Sequence, residues 1–234
     1  HPDSIRLRTG RGDQVAECLA QMSGMPNLDW ARSTLGLDGL SWDEIERRVA
    51  ERDRDRAAEA LFLPYTSPSG ERAPFHDVHA SGGWVGDISA DPIALISAVY
   101  TGLACSVAES LLGLERDEED ADGGGAITVS GGGAQSRLLC GLLADLSGRT
   151  VIRQIDSEVG ARGAAALALV AAGAAPGLAE AAAALQPETE SFAPDPERRE
   201  DALVAFETFR AVRDALRPQW SRLRALRHPI PSRR

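Results

Sequence analysis

The longest apolar stretch lies behind Asp91-Pro92 and runs to about Leu114, a pattern that predicts a central buried helix with proline in its first turn. Further on, Ala126-Ile127-Thr128-Val129 enters Ser130-Gly131-Gly132-Gly133, and an apolar-periodic segment follows from Leu138 to Leu146. This reads as a buried strand, a tight turn and a helix. Arg149 to Ile155 makes a second strand, and Gly160 to Ala172 a small-residue helix suited to lie close on a sheet. Strand, helix, strand, helix is the order of an α/β protein. The alanine-rich 161–184 region, broken by Gly173, Pro176, Gly177 and Glu180, is a helix pair. After a connection over 187–197, Glu197 to Leu226 is an amphipathic helix carrying Phe206, Phe209, Val212, Leu216 and Trp220, which Pro218 should kink or split.

The first half is more broken. Residues 1–13 are polar and basic, Gln14 to Met22 supports a short helix, and Asn27-Leu28-Asp29-Trp30 opens the next one after Ser23-Gly24-Met25-Pro26. Ser41 and Glu44 form a capping box for a charged helix through about Ala60, whose mixed-sign run from Glu46 to Arg56 marks a solvated face. Leu61 to Tyr65 is a short buried strand. It leads into a loop from Thr66 to Ile88, long enough to be either disordered or functional. The acids of the 115–125 turn lack the alternating spacing of a calcium loop and read as solvated surface.

Charge and composition narrow the function. With 25 basic and 35 acidic residues and a net charge of -10, the chain is a poor partner for nucleic acid or an anionic membrane. No stretch reads as a membrane span, and no leader pattern opens the chain. Cys18, Cys105 and Cys140 fit neither a disulfide framework nor a metal site, and are expected as reduced packing residues of a cytoplasmic protein. His76 and His79 lack a metal-ligand pattern. Trp30, Trp42, Trp84 and Trp220 read as packing residues.

The chemistry concentrates at the glycine turn. Glycine permits positive φ and close backbone approach, and a helix start offers unpaired N–H groups to an anion such as phosphate. A Gly-Gly-Gly turn alone is equally compatible with a tight connection, since it lacks the spacing of a dinucleotide fingerprint and the Lys-Ser/Thr end of a phosphate loop.

Its company is informative. Gly70-Glu71-Arg72-Ala73-Pro74, Asp77-Val78-His79-Ala80-Ser81-Gly82, Gly131-Gly132-Gly133-Ala134-Gln135-Ser136 with Ala144-Asp145, and Glu158 with Gly163-Ala164-Ala165 follow one another in order. This succession resembles the C-terminal half of FGGY-family carbohydrate kinases over about 23–216. The resemblance implies an α/β fold, the second half of an actin-like (ribonuclease H-like) ATPase, with ATP between two domains. It implies transfer of the γ-phosphoryl group of ATP, with Mg2+, to a sugar or polyol hydroxyl. It also implies that Gly131, Gly132, Gly133, Ala134, Gln135 and Ser136 contact the nucleotide, and that Glu71 and Arg72 form a clamp, paired with each other or with backbone.

Leu139 and Gly141 stand where the family often has an aromatic residue and a glutamine, and Val78-His79 where Pro-Asn is commoner. The longer segment at Ser67-Pro68-Ser69 and the run Met22 to Trp30 resemble the erythritol-kinase, polyol and pentulose (xylulokinase-like) branch. Gly12-Asp13-Gln14 resembles the family's catalytic-base motif, but Met22 follows too closely for the phosphate loop between them. Asp13 is read as an ordinary helix-start carboxylate, with the catalytic base as its alternative, and no other catalytic residue is expected in this chain.

The expected organisation is a segment over 1–22 continuing from an upstream domain, a kinase C-terminal domain over 23–226, and a tail over 227–234. The expected partners are a sugar or polyol and, on self-association, a second copy in a homodimer. A non-catalytic nucleotide-binding or scaffold module of the same half-fold is the alternative.

Overall fold

The computed structural model describes residues 1–9, 14–53, 60–89, 91–115, 125–155 and 158–226. Its centre is the apolar stretch behind Asp91. Asp91 Oδ1 accepts from the Ile93 and Ala94 N–H groups and caps helix α3, Pro92–Glu115. This helix follows α1 (Pro26–Thr34) and α2 (Trp42–Arg52) in the chain. By length and composition Pro92–Leu114 is apolar enough to cross a membrane, contrary to the expectation that no stretch qualifies, yet 67% of that window is buried inside the protein. It is the spine of two cores.

One core joins Leu28 of α1 and Ile45 and Val49 of α2 to Phe62, Ile96 and Tyr100. The other gathers Tyr65, Phe75 and Cys105 with residues of α4 (Arg137–Ser147) and with Phe206, Phe209 and Trp220. Each fully buried aromatic or aliphatic side chain contributes about 1.5–3 kcal/mol.

Three small sheets surround the spine. β1 (Ile5–Arg8) pairs antiparallel with β2 (Val15–Cys18), Ile5 opposite Cys18. In place of the helix expected over Gln14 to Met22 there is a strand at Val15–Cys18 and irregular chain after it. So short a segment cannot hold a helix unaided, and Gln21 is drawn across to α3, where its Nε2 donates to the Ser106 carbonyl and the Ser110 hydroxyl, both at 2.7 Å. β3 (Ala60–Leu63) pairs antiparallel with β4 (Gly83–Gly86), a strand within the stretch expected as loop. Trp84 holds β4 in place: its ring stacks on Trp30 at 5.1 Å and its Nε1 donates to the Leu95 carbonyl at 2.8 Å. β3 meets α3 so closely that a Cβ on Gly102 would lie 2.1 Å from the Phe62 oxygen. Only glycine fits that crossing.

The third sheet has the order β5 (Ile127–Val129), β6 (Val151–Gln154), β7 (Thr189–Phe192). β5 and β6 are parallel and joined through α4, and β7 runs antiparallel to β6 inside the expected 187–197 connection. α5 (Val159–Ala171) and α6 (Leu178–Ala184) form the expected helix pair, but only Ala166 of α5 is buried, so α5 does not lie tightly on the sheet. Proline divides the last helix as expected, into α7 (Pro196–Leu216), a 3-10 turn at Arg217–Gln219 and α8 (Trp220–Ala225). The helix from Ser41 ends at Arg52, and its expected continuation to Ala60 falls mostly on 54–59, outside the described residues.

Candidate functional site

Strand β5 delivers the chain into the glycine turn. Gly131 has φ +76°, a conformation L side chains rarely adopt, and the next four residues, Gly132–Gln135, form a single 3-10 turn. The Ala134 N–H closes it on the Gly131 carbonyl at 3.1 Å. A Cβ built on Gly131 would meet nothing within 4 Å, one on Gly132 only Met25 Cγ at 3.7 Å, and one on Gly133 only Leu139 Cδ2 at 3.8 Å. Packing therefore does not explain why Gly132 and Gly133 are glycine. Among the described residues, no hydrogen-bond partner meets the N–H groups of Gly131, Gly132 or Gly133. The turn is a bare, outward-facing run of backbone.

Everything beneath it is fixed. Arg153 of β6 donates from Nη1 to the carbonyls of Ala134 (3.0 Å) and Gln135 (3.3 Å), while its Nε pairs with Glu190 of β7 at 2.8 Å. Gln135 Nε2 reaches the Ile155 carbonyl at 3.1 Å. Ala134 and Ser136 are buried, and Ser136 Oγ caps α4 by accepting from the Leu139 N–H at 3.0 Å. Of the six expected contacts, Gly131, Gly132, Gly133 and Gln135 thus present backbone or side chain outward. Ala134 and Ser136 face in.

The start of α4 is not an open anion site. Glu46 of α2 accepts from the Leu138 N–H at 3.2 Å and is in turn reached by the Tyr100 hydroxyl at 3.4 Å. A carboxylate of the protein itself answers the helix dipole there. The donors left for a ligand anion are those of the glycine turn. Glu46, expected on a solvated helix face, instead turns in to Leu138 and Tyr100, while Arg153 and Glu190 drew no expectation from the sequence. A lone arginine in the strand Val151-Ile152-Arg153 was the one available signal.

The other motifs build the scaffold. Glu71 is buried, and instead of a surface ion pair with Arg72 it gathers donors: Oε1 accepts from the Met22 N–H (2.6 Å) and the Arg72 N–H (2.9 Å), and Oε2 from the Ser23 hydroxyl. Backbone pairing of Glu71 with Asp77, 2.9 Å in both directions, closes the loop. Gly70 and Gly82 are required: a Cβ would come within 2.2 Å of the Asp77 oxygen and 1.9 Å of the Leu63 oxygen. Asp145 accepts from the Asp195 N–H at 2.8 Å and holds the start of α7; burial raises its pKa. Gly163, Ala164 and Ala165 lie on the exposed face of α5, and His76 and His79 are exposed. Asp13 lies outside the described residues. Among the described residues no group of three or more His, Cys, Asp or Glu is placed to hold a metal.

This arrangement has known relatives. The profile for the C-terminal domain of the FGGY family of carbohydrate kinases matches residues 20–172. The chain belongs to that family. It is 33% identical over 220 residues to an erythritol kinase of Brucella abortus (strain 2308), covering 89% of this chain and 41% of the relative. To a xylulose kinase of Escherichia coli (strain K12) it is 33% identical over 202 residues, covering 84% of this chain and 39% of the relative. The chain thus spans about two-fifths of these relatives' length. The structure of a xylulose kinase from Rhodospirillum rubrum superposes with a TM-score of 0.76 at 22% identity, over 94% of this chain and 44% of that one. A glycerol kinase from Plasmodium falciparum, solved with ADP, gives a TM-score of 0.61 at 18% identity, over 77% of this chain and 35% of that one. The fold is the α/β actin-like ATPase fold of these sugar kinases.

Proposed function

We propose that the chain is the nucleotide-contacting part of an ATP-dependent kinase for a pentulose or polyol, with Gly131, Gly132, Gly133 and Gln135 against the nucleotide and Ala134 and Ser136 as their support. The carrying observation is the bare glycine turn. Two of its glycines are needed neither for φ nor for packing within the chain, which is what close approach of a ligand to backbone requires. Its open N–H groups suit phosphate oxygens, and the Arg153 and Gln135 bonds fix it before a ligand arrives. Family membership supports the same reading.

ATP would supply the γ-phosphoryl group and, with it, Mg2+; the donor set of the turn fits the nucleotide. The chain's own residues bind and orient, and the proton-accepting carboxylate belongs elsewhere in the enzyme. Positioning supplies most of such catalysis, so the isolated chain should bind weakly and turn over little. The reading further includes a cytoplasmic setting, no role for nucleic acid or membrane, and a homodimer as the form of any self-association.

Calorimetric titration of the chain with ATP and Mg2+ tests the site. Binding is expected for the parent and absent for Gly132→Val, with the circular dichroism spectrum unchanged. Equal affinity in both overturns the assignment. A phosphorylation screen of the product of the whole reading frame against erythritol and pentuloses tests the substrate class, and no turnover with any of them would favour the non-catalytic module.

A further inference from the structure

α7 and the turn that follows it bring Arg210, Arg213 and Arg217, spaced by three and by four, onto one face. Like charges at that spacing repel, so the run weakens the helix unless anions answer it. The three line a hollow of about 200 Å³ between this face, the end of α3 and the loop at Pro74-Phe75. It shares no lining residue with the hollow at Gly133, so it is separate from the glycine turn. Glu109 of α3 is the one carboxylate in its lining. Three guanidinium groups thus face a single acid.

The three arginines are not equivalent. Arg213 is buried and engaged at both ends: Nη1 pairs with Glu109, and Nε donates to Asp214 at 2.9 Å. Arg210 and Arg217 keep 45% and 44% of their side chains exposed. Their nearest carboxylate oxygens are distant, 3.4 Å from Arg210 Nε to Glu109 and 3.7 Å from Arg217 Nε to Asp77. Among the described residues, no hydrogen-bond acceptor meets the Nη groups of either. Phe75 positions the pair below and beside them, its ring centre 4.8 Å from the Arg217 guanidinium and 5.3 Å from that of Arg213. The ring is itself fixed, by stacking on Trp220 at 5.6 Å and by the Glu71–Asp77 backbone pairing at the base of its loop. A planar fork held against an aromatic face loses little freedom when an anion arrives.

We propose that this hollow is a second ligand site, for a small phosphate-bearing anion, distinct from the place of the nucleotide at the glycine turn. Arg210 and Arg217 donate to the phosphate oxygens from two sides through their Nη groups, and Arg213 supplies charge from beneath. Guanidinium forks match phosphate oxygens in pairs. The volume lies below that of pockets for drug-sized ligands, which limits the occupant to phosphate with a few attached atoms. Occupancy offsets the repulsion along α7 and ties that helix to the Phe75 loop.

Inorganic phosphate is the probe, titrated without nucleotide into the product of the whole reading frame and followed by phosphorus NMR. The open N–H groups of the glycine turn also attract phosphate, and variants separate the two places. Arg217→Gln should weaken binding at least about tenfold, through loss of one charge-assisted pair, and Gly132→Val should leave that component unchanged. Arg217→Lys keeps the charge without the fork and should fall between the parent and Arg217→Gln. Bound phosphate should also raise the melting temperature of the parent more than that of Arg217→Gln. Binding unchanged in Arg217→Gln overturns the proposal, whatever the ATP titration shows, as does the absence of any phosphate binding. His1 also lines the hollow, so the 234-residue chain is titrated beside the longer protein. Binding to the chain that the longer protein lacks overturns the proposal too, because further polypeptide then fills the hollow. If Arg217→Gln fails to fold, Arg210→Gln reads the same site.

Discussion

Glu46 and Leu138 lie 92 positions apart, yet the carboxylate of one accepts the N–H of the other at 3.2 Å, at the mouth of the glycine turn. This bond ties α2 to the start of α4 and places a fixed negative charge where the helix dipole would otherwise attract an anion. Glu46→Ala should cost about 1 kcal/mol of stability, since it leaves a half-buried N–H without its acceptor. Glu46→Gln keeps an acceptor but removes the charge, and should tighten ATP binding at the neighbouring turn. Urea unfolding and calorimetry read the two effects, and weaker ATP binding in the glutamine variant would refute the electrostatic part.

Two glycine-to-alanine changes should act with opposite signs. At Gly102 the added methyl meets the Phe62 oxygen at 2.1 Å, so Gly102→Ala must push β3 from α3, at a cost of about 3 kcal/mol. At Gly141, inside α4, a Cβ meets nothing within 4 Å, and Gly141→Ala should stabilise by about 1 kcal/mol through helix propensity alone. Denaturant midpoints of both variants check the pair; a destabilising Gly141→Ala would mean that this face of α4 is covered.

How much of this was legible follows from the range of the forces involved. The Ser41 and Ser136 caps, the start of α3 at Pro92 and the break at Pro218 are local, and each is marked by a residue within one turn of it. Strands β2, β4 and β7 have four residues each, and two of them are bounded or preceded by glycine, proline or acids that read as loop. Their stability comes from partners elsewhere: Cys18 sits opposite Ile5, Gly83 opposite Leu63, Phe192 opposite Val151. The glycine turn was visible as sequence, whereas its support was not. Arg153 and Glu46 reach it only after β6 and α2 have been placed, and no local spacing encodes those bonds.

Thiol labelling should distinguish the three cysteines. Burial pushes Cys105 up to about 12 and Cys140 up to about 11, so both remain neutral and shielded near pH 8. Cys18, part-exposed on β2, should be the one that reacts with iodoacetamide in the native state. Intact-mass analysis should show a single adduct; a second native-state adduct would contradict the closed core around Cys140.

Asp145 gives a pH dependence of definite sign. Burial, working against the Asp195 N–H and Arg198, raises its carboxyl above the ordinary value of 3.8. The folded protein then holds that proton more tightly than the unfolded chain. Stability from the group is present below 3.8 and is lost as pH rises through the folded value. Asp145→Asn resembles the protonated form and can still accept from Asp195. It should therefore melt higher than the parent at pH 7, with the gap closing as the pH falls toward 3.8. Melts at several pH values check this, and a parent that is the more stable at pH 7 would reverse the reading.

Glu71→Ala should be the most damaging of the single changes, because the N–H groups of Met22 and Arg72 and the Ser23 hydroxyl lose one acceptor together. A loss of about 3 kcal/mol or more is expected from stranding buried donors, read by urea unfolding. A loss below about 1 kcal/mol would show that water can reach and satisfy them.

The guanidinium of Arg224, near the end of α8, donates to the carbonyls of Ser67, Pro68 and Ala80, 144 to 157 positions earlier in the chain. Translation delivers those carbonyls first and their donor much later. The loop that carries Glu71 must therefore wait on the ribosome without its pin, and the domain can complete its structure only once α8 has emerged.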